Sequence, residues 1–300
     1  MVSVLPLTPN NFVAEVGGLD IGSPLPDDMF AKIEAAFETY AVLVFHRQPM
    51  SEVQQEEFAL RFGPLEQATQ VFGTMARTSK FTDISNLDEH GEPLADTSSR
   101  SLSLKANALW HTDSSFKRTP AKMSMLYATS VADKGGETEF ADMRAAWLSL
   151  PKILQEQVRH LVGEHDFFHS RMQVGLDPQA TSAERRAQLP PVPQVLVRTS
   201  PTTGVKSLYL ASHLKRIVGL SESDSRDLIA RLMAHATQPQ FVYSHRWAVD
   251  DVVLWDNRCT MHRGRPYAAT SPRAMRRITI MDQGPTVRDS FEFDLMTGRS

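Results

Sequence analysis

The stretch Asp251-Val-Val-Leu-Trp-Asp-Asn-Arg-Cys-Thr-Met-His262-Arg-Gly264 decides the reading of this chain. Val252 to Trp255 form an unbroken apolar run with the length of a buried strand, and the polar Asp256-Asn-Arg ends it in a turn. Such a strand delivers the imidazole of His262 to the mouth of a barrel. Taken alone, a histidine there is a satisfied polar residue at a strand end, and it gains a chemical meaning only from partners elsewhere.

Similar short runs recur outward from this point. Ala41-Val-Leu-Val-Phe45 is of strand type, and further strand-like stretches lie near 121–131, 194–198 and 206–211. Between them the period changes. Residues 27–40 carry Phe30, Ile33 and Phe37 at helical spacing. Ser51 and Gln54 have the spacing of a capping box, Phe58 and Phe62 lie four apart, and Gly63 suits a helix end, so the spacing predicts a helix over 52–62. Helical patterns also lie near 142–162 and 222–236. Residues 67–107 and about 165–194 are polar and poorly periodic, and read as long loop or lid excursions over a pocket. Strands separated by turns, with helices grouped early and in insertions, predict a mainly β fold with helices: a barrel or jelly roll forming one domain over 1–300.

Composition narrows the function. Lys and Arg (32) nearly balance Asp and Glu (35), so no overall field favours nucleic acid or an anionic membrane. The segment Met1-Val-Ser-Val-Leu-Pro6 lacks the pattern of a signal peptide, no stretch reaches 18 uninterrupted apolar residues, and a cytoplasmic protein is expected. One cysteine, Cys259, excludes an intramolecular disulfide and any cysteine-based metal cluster. A metal would need histidine and carboxylate ligands.

Trp110-His111-Thr112-Asp113 offers such ligands. On a strand, positions i and i+2 share a face, so His111 and Asp113 could grip one ion, although His-x-Asp alone is a common chance pairing. With His262 they make two histidines and one carboxylate, a facial set that leaves three adjacent metal positions open for a chelating co-substrate and O2. Arg273 and Arg277 of Pro272-Arg-Ala-Met-Arg-Arg-Ile-Thr-Ile-Met281 also share a strand face. Two inward guanidiniums need anions, one fitting the distal carboxylate of 2-oxoglutarate and the other an anionic substrate. The plainer alternative is a solvated basic edge formed by Arg273, Arg276 and Arg277.

These residues sit within a longer resemblance. Val42-Leu-Val-Phe45, Gln54-Gln-Glu-Glu-Phe-Ala59, Phe62-Gly-Pro-Leu-Glu66, Leu109-Trp-His-Thr-Asp-Ser-Ser-Phe116, Gly135-Gly-Glu-Thr-Glu-Phe-Ala-Asp-Met-Arg-Ala-Ala146, Phe241-Val-Tyr-Ser-His-Arg-Trp247 and Trp255-Asp-Asn-Arg-Cys-Thr-Met-His-Arg-Gly264 occur in order. Together they resemble the taurine dioxygenase-like family of Fe(II)/2-oxoglutarate oxygenases, and most closely its 2,4-dichlorophenoxyacetate branch.

The resemblance implies a double-stranded β-helix (jelly roll) with iron held by His111, Asp113 and His262. It also implies 2-oxoglutarate held by Thr138 and Arg273, and the substrate's acid group paired with Arg277. Asn107 and His213 match positions that look like substrate contacts in relatives; a loop residue and a surface histidine are the plain alternatives. The implied reaction hydroxylates a small organic acid such as 2,4-dichlorophenoxyacetate with O2, releasing succinate and CO2. Hydroxylation beside the ether oxygen yields a hemiacetal that splits to phenol and glyoxylate. Taurine or another alkylsulfonate is the alternative substrate, and a zinc hydrolase or a non-catalytic anion-binding protein the alternative class. Many relatives are dimers or tetramers, so a homo-oligomer is compatible with the resemblance. His46-Arg47 stands where relatives carry Arg-Gly, and 67–105 matches poorly, which leaves the substrate open.

Overall fold

The strand runs Val42–Phe45 and Val252–Asp256 are buried on both faces and so need cover on both. The computed structural model describes residues 2–67, 80–88, 90–94, 104–177 and 181–287. The strands are β1 (Ser3–Pro6), β2 (Val13–Gly17), β3 (Val42–Phe45), β4 (Phe81–Ser85), β5 (Ala121–Ser130), β6 (Thr138–Asp142), β7 (Val162–His165) and β8 (Val192–Val195), then β9 (Val197–Thr199), β10 (Lys206–Leu208), β11 (Leu214–Ile217), β12 (Val242–His245), β13 (Val252–Asp256), β14 (Thr260–Gly264) and β15 (Ala274–Met281). The helices are α1 (Asp27–Tyr40), α2 (Glu52–Leu60), α3 (Met143–Ser149), α4 (Lys152–Val158), α5 (Phe167–Met172), α6 (Ala183–Gln188) and α7 (Glu222–Ala236).

A seven-stranded sheet has the order β1-β2-β3-β13-β5-β15-β4, and a three-stranded sheet the order β12-β6-β14. Successive side chains alternate faces. Leu43, Phe45, Met123, Met125, Val252, Leu254, Ile278 and Ile280 therefore point to one side, where Phe30, Ile33 and Phe37 of α1 and Phe58 of α2 cover them. Their neighbours Val42, Val44, Leu126, Val253, Trp255 and Met275 point to the other side and pack with Phe140 of the smaller sheet. A one-residue slip of β13 would exchange Leu254 and Trp255 between these cores, which pins the register. The smaller sheet's far side, through Ala141 and Met261, packs against α3 and α7. Two facing sheets with helical cover are the jelly roll read from the sequence. Among the described residues no helix is long and apolar enough to cross a membrane.

Local signals acted as expected in several places. α1 spans 27–40, and the capping box is formed, Ser51 Oγ accepting from Gln54 N at 3.2 Å while Gln54 Oε1 accepts from Ser51 N at 2.8 Å. α2 stops at Leu60, before Gly63. The helical pattern near 142–162 is two helices, because Pro151 cannot continue the first and begins the second. The 67–107 excursion is not wholly loop. It contains β4, an edge strand paired with β15, and a helical turn at 104–107, while 68–79, 89 and 95–103 lie outside the described residues. An edge strand facing solvent carries polar Thr82 and Asp83, which hides its alternation. The 165–194 segment likewise holds α5, α6 and β8, with 178–180 outside the described residues.

Gly135 ties the sheet to the segment that follows β14. It has φ +75°, and a Cβ there would lie 2.3 Å from Pro266 O. Gly135→Ala should lower the unfolding free energy by about 2 kcal/mol or more, through the left-handed backbone and the clash together. A urea titration that moved by less than about 0.5 kcal/mol would show that Pro266 gives way freely.

Candidate metal centre and its cavity

After β13 crosses the larger sheet, the Asp256–Cys259 turn passes the chain to β14 in the smaller one. Asp256 Oδ1 accepts from Arg258 N at 2.8 Å and Asp256 O from Thr260 Oγ1 at 2.7 Å, which closes the turn. On β14, His262 faces Phe140 of β6 on one side and His111 on the other. His111 N donates to His262 O at 3.0 Å and His262 N to His111 O at 2.8 Å. Directly opposed residues of an antiparallel pair project their side chains to the same face, so both imidazoles meet, with ring centroids 4.2 Å apart.

Asp113 arrives differently from the strand geometry expected of His-x-Asp. Only His111 pairs; Asp113 opens a turn, and Ser114 takes φ +52°. Asp113 N donates to Asn257 Oδ1 at 3.2 Å, Asn257 Nδ2 to Ser124 Oγ at 2.9 Å, and Ser124 Oγ to Asp113 Oδ2 at 2.7 Å. Trp255 Nε1 holds the same Asn257 oxygen at 3.0 Å. This closed network fixes the carboxylate from the larger sheet while the histidines come from the smaller one.

The result is a buried donor set whose atoms lie within 4.8 Å of one another. His262 Nε2 is 3.6 Å from Asp113 Oδ2 and His111 Nε2 is 3.9 Å from Oδ1. His111 Nδ1 donates to Leu109 O at 2.7 Å, which leaves the Nε2 lone pair turned to the carboxylate. The His262 ring packs against Trp255 and Phe140, which also touch one another. Burial pushes both imidazoles below their ordinary range, His262 further. Burial opposes ionisation of Asp113 too, but the Arg277 guanidinium beside it and the Ser124 hydroxyl outweigh burial and hold the carboxyl at about 2. Two neutral nitrogen lone pairs and a carboxylate, its charge matched by Arg277, converge in one dry place as a set of donor atoms. A divalent cation with nitrogen and oxygen preferences fits them.

The cavity beside this set encloses about 330 Å³. His111, His262, Thr138, Arg273 and Arg277 line part of it, and Ile84, Leu94, Leu104, Leu126 and Trp255 give it an apolar wall. Asn107 joins the lining from the helical turn at 104–107. Arg273, 5% exposed, faces the Tyr267 ring at 5.4 Å, and no carboxylate pairs with it among the described residues. A buried cation lacking a counter-ion marks where an anion belongs. Asn86 holds it in place, accepting from Arg273 N at 2.8 Å. Arg277 donates to Asp113 Oδ1. Arg276, one residue earlier, points the opposite way, to Gln55 Oε1 at 2.6 Å and over the Tyr127 ring, so the three arginines are not a solvated basic edge.

Of the site residues singled out in the sequence, Asp113 and His213 are not in the cavity lining; Asp113 lies behind it in the donor set, and His213 stands apart from that set. It is buried, not a surface histidine; its Nδ1 is 3.1 Å from Ser115 Oγ, and its ring packs on the contacting pair Phe116 and Phe167. Ser124, Asn257, Asn86 and Trp247 hold the site residues without belonging to any ligand pattern in the sequence. Ser124 does give a signal, a lone hydroxyl among the apolar residues of β5, and Asn257 lies in the turn of the opening stretch.

The family model for taurine catabolism dioxygenase TauD, TfdA family matches residues 3–279. The chain is 42% identical over 276 residues to the alpha-ketoglutarate-dependent 2,4-dichlorophenoxyacetate dioxygenase of Cupriavidus pinatubonensis, covering 90% of this chain and 95% of that one. It is 36% identical to the (S)-phenoxypropionate/alpha-ketoglutarate-dioxygenase of Sphingobium herbicidovorans, covering 88% and 90%. The solved structure of AAD-2 in complex with Mn(II) and N-oxalylglycine superposes with a TM-score of 0.89 at 42% identity, covering 96% of this chain and all of that one.

The buried imidazoles give the metal-free protein a defined pH response. His111, His165, His213 and His262 all have depressed folded values, His165 at about 3, with burial the first cause of each. They gain protons on unfolding, so stability should fall as pH drops below about 6.5, and Asp113 should add its loss only between about 4 and 2. Urea midpoints of metal-free protein should therefore decline between about pH 7.5 and 5.5, and a flat profile would mean that these rings are protonated in the folded state.

Proposed function

The chain belongs to the taurine catabolism dioxygenase TauD, TfdA family, and from that membership we propose that it hydroxylates an aryloxyacetate of the 2,4-dichlorophenoxyacetate kind. Its class is that of an Fe(II)- and 2-oxoglutarate-dependent dioxygenase. The observation that carries the substrate reading is Arg277, a guanidinium lying on the Asp113 carboxylate in a cavity with an apolar wall.

Each residue then has a task. His111, Asp113 and His262 hold Fe(II), the imidazoles as neutral donors because burial keeps protons off them. Arg273 and Thr138 take the distal carboxylate of 2-oxoglutarate, a role supported by the uncompensated charge of Arg273. Bound Fe(II) and 2-oxoglutarate supply the activation of O2, with succinate and CO2 released and one oxygen atom passed to the substrate. Arg277 takes the substrate's acid group. Because this guanidinium touches an iron ligand, the carbon next to that acid group is the one brought to the reacting centre. In an aryloxyacetate that carbon also bears the ether oxygen, so its hydroxylation gives a hemiacetal that collapses to phenol and glyoxylate.

The apolar wall, Leu126 and Trp255 included, suits an aryl ring better than the ammonium end of taurine, although a sulfonate would satisfy Arg277 equally. Asn107 lies where it can contact the substrate. His213 acts from behind, orienting Ser115 and packing on the aromatic rings of Phe116 and Phe167. Both curated relatives named above act on aryloxyalkanoates by name, which supports the same class here.

Two experiments test this reading. Arg277→Ala should lower kcat/KM for the acid substrate by about thirtyfold or more while 2-oxoglutarate binding changes little, and Arg273→Ala should do the reverse. Equal effects on both ligands would undo the division. Second, with Fe(II), 2-oxoglutarate and air, succinate should form in step with a phenol from phenoxyacetate or a 2-phenoxypropionate enantiomer, and not from taurine. Succinate coupled to taurine alone would replace the aryloxyacetate by a sulfonate.

A further inference from the structure

The motif Phe241-Val-Tyr-Ser-His-Arg-Trp247 remains without a task. Its strand, β12, pairs with β6 so that His245 lies directly opposite Thr138. Two residues further on, the buried Trp247 turns its indole back to the same threonine, and Trp247 Nε1 donates to Thr138 Oγ1 at 2.9 Å. The ring stands edge-on to His245 at 4.6 Å and 89°. His245 Nε2 lies 3.2 Å from Asp251 Oδ2, and the buried Asp251 is held by Ala248 N at 2.9 Å and His46 Nδ1 at 2.7 Å. Trp247 and Arg273 also line a common groove at the base of the Gly135-Gly136 turn.

A threonine hydroxyl has one proton and two lone pairs, and it turns to suit its surroundings. An indole N–H can only donate. With Trp247 occupying a lone pair of Oγ1, the hydroxyl proton must point elsewhere, and Thr138 lines the cavity. A carboxylate can only accept. We infer that Trp247 is a positioning residue that commits the Thr138 hydroxyl to donation, and so matches it in advance to the anionic end of the co-substrate. This rests on the reading that Thr138 and Arg273 receive the distal carboxylate of 2-oxoglutarate. With one lone pair taken, the proton is excluded from the position facing Trp247 and keeps two of three staggered positions, so binding has less rotor freedom to freeze.

The test is calorimetric titration of the full-length, Mn(II)-loaded protein with 2-oxoglutarate and with 2-oxopentanoate, the same keto acid without the distal carboxylate. Trp247→Phe should weaken 2-oxoglutarate by about tenfold and leave 2-oxopentanoate within about twofold. In a Thr138→Val background, the same substitution should add nothing, as two groups acting through one hydrogen bond are not additive. If Thr138→Val weakens 2-oxoglutarate and Trp247→Phe does not, the inference fails while the role of Thr138 stands. No effect of Thr138→Val would remove that role and the inference with it. Equal weakening of both keto acids would make Trp247 a packing residue and overturn the proposal. Should Trp247→Phe not fold, Trp247→Met removes the donor with a side chain that adapts to the space, and carries the same expectations.

Discussion

The pair of backbone hydrogen bonds between His111 and His262 is the constraint on which the site depends. It joins residues 151 positions apart in the chain and sets two imidazoles on one face at a separation that no local motif could specify. Both rings are held: His111 is tethered to Leu109 O, and His262 packs on the pair formed by Trp255 and Phe140. Asp113 is brought to them from the opposite sheet by Asn257 and Ser124. The donor set thus spans the space between the two sheets, and the sandwich must be closed for it to exist.

Charge follows the same geometry. Buried imidazoles that stay neutral and a carboxylate held ionised by Arg277 leave a place for a cation. Next to it, Arg273 is a cation with no acidic partner among the described residues, which leaves a place for an anion. The two imidazoles and Arg273 line one cavity with an apolar wall. On the proposed reading a keto acid would be received there, with the Thr138 hydroxyl, which accepts from Trp247 Nε1, beside Arg273 in the cavity lining.

Much of this was legible from residue order. α1 and α7 followed their apolar periods, Ser51 and Gln54 formed their box, and β13 lay in the apolar run preceding His262. Arg273 and Arg277 reached one cavity, while Arg276 was carried to the outer face by simple alternation. Other features were hidden. β4 sat in a polar segment because an edge strand needs little apolar alternation, and Asp113 was expected on a strand although a turn presents it. His213, a surface residue on its plain reading, lies buried beside the aromatic rings of α5 and Phe116.

The amino-acid sequence by itself determined the donor types, the periodicities and the order of the strands, since these depend on side-chain chemistry and on neighbours a few residues away. It also carried enough ordered motifs to identify the family. Only the tertiary structure decided which strand lies beside which, which face each run buries, and that Asn257, Ser124, Asn86 and Trp247 hold the site residues in place. The reason is physical: a hydrogen bond between Trp247 and Thr138 or Asn86 and Arg273 leaves no periodic mark in either local segment. It arises when long-range strand pairing brings the two together.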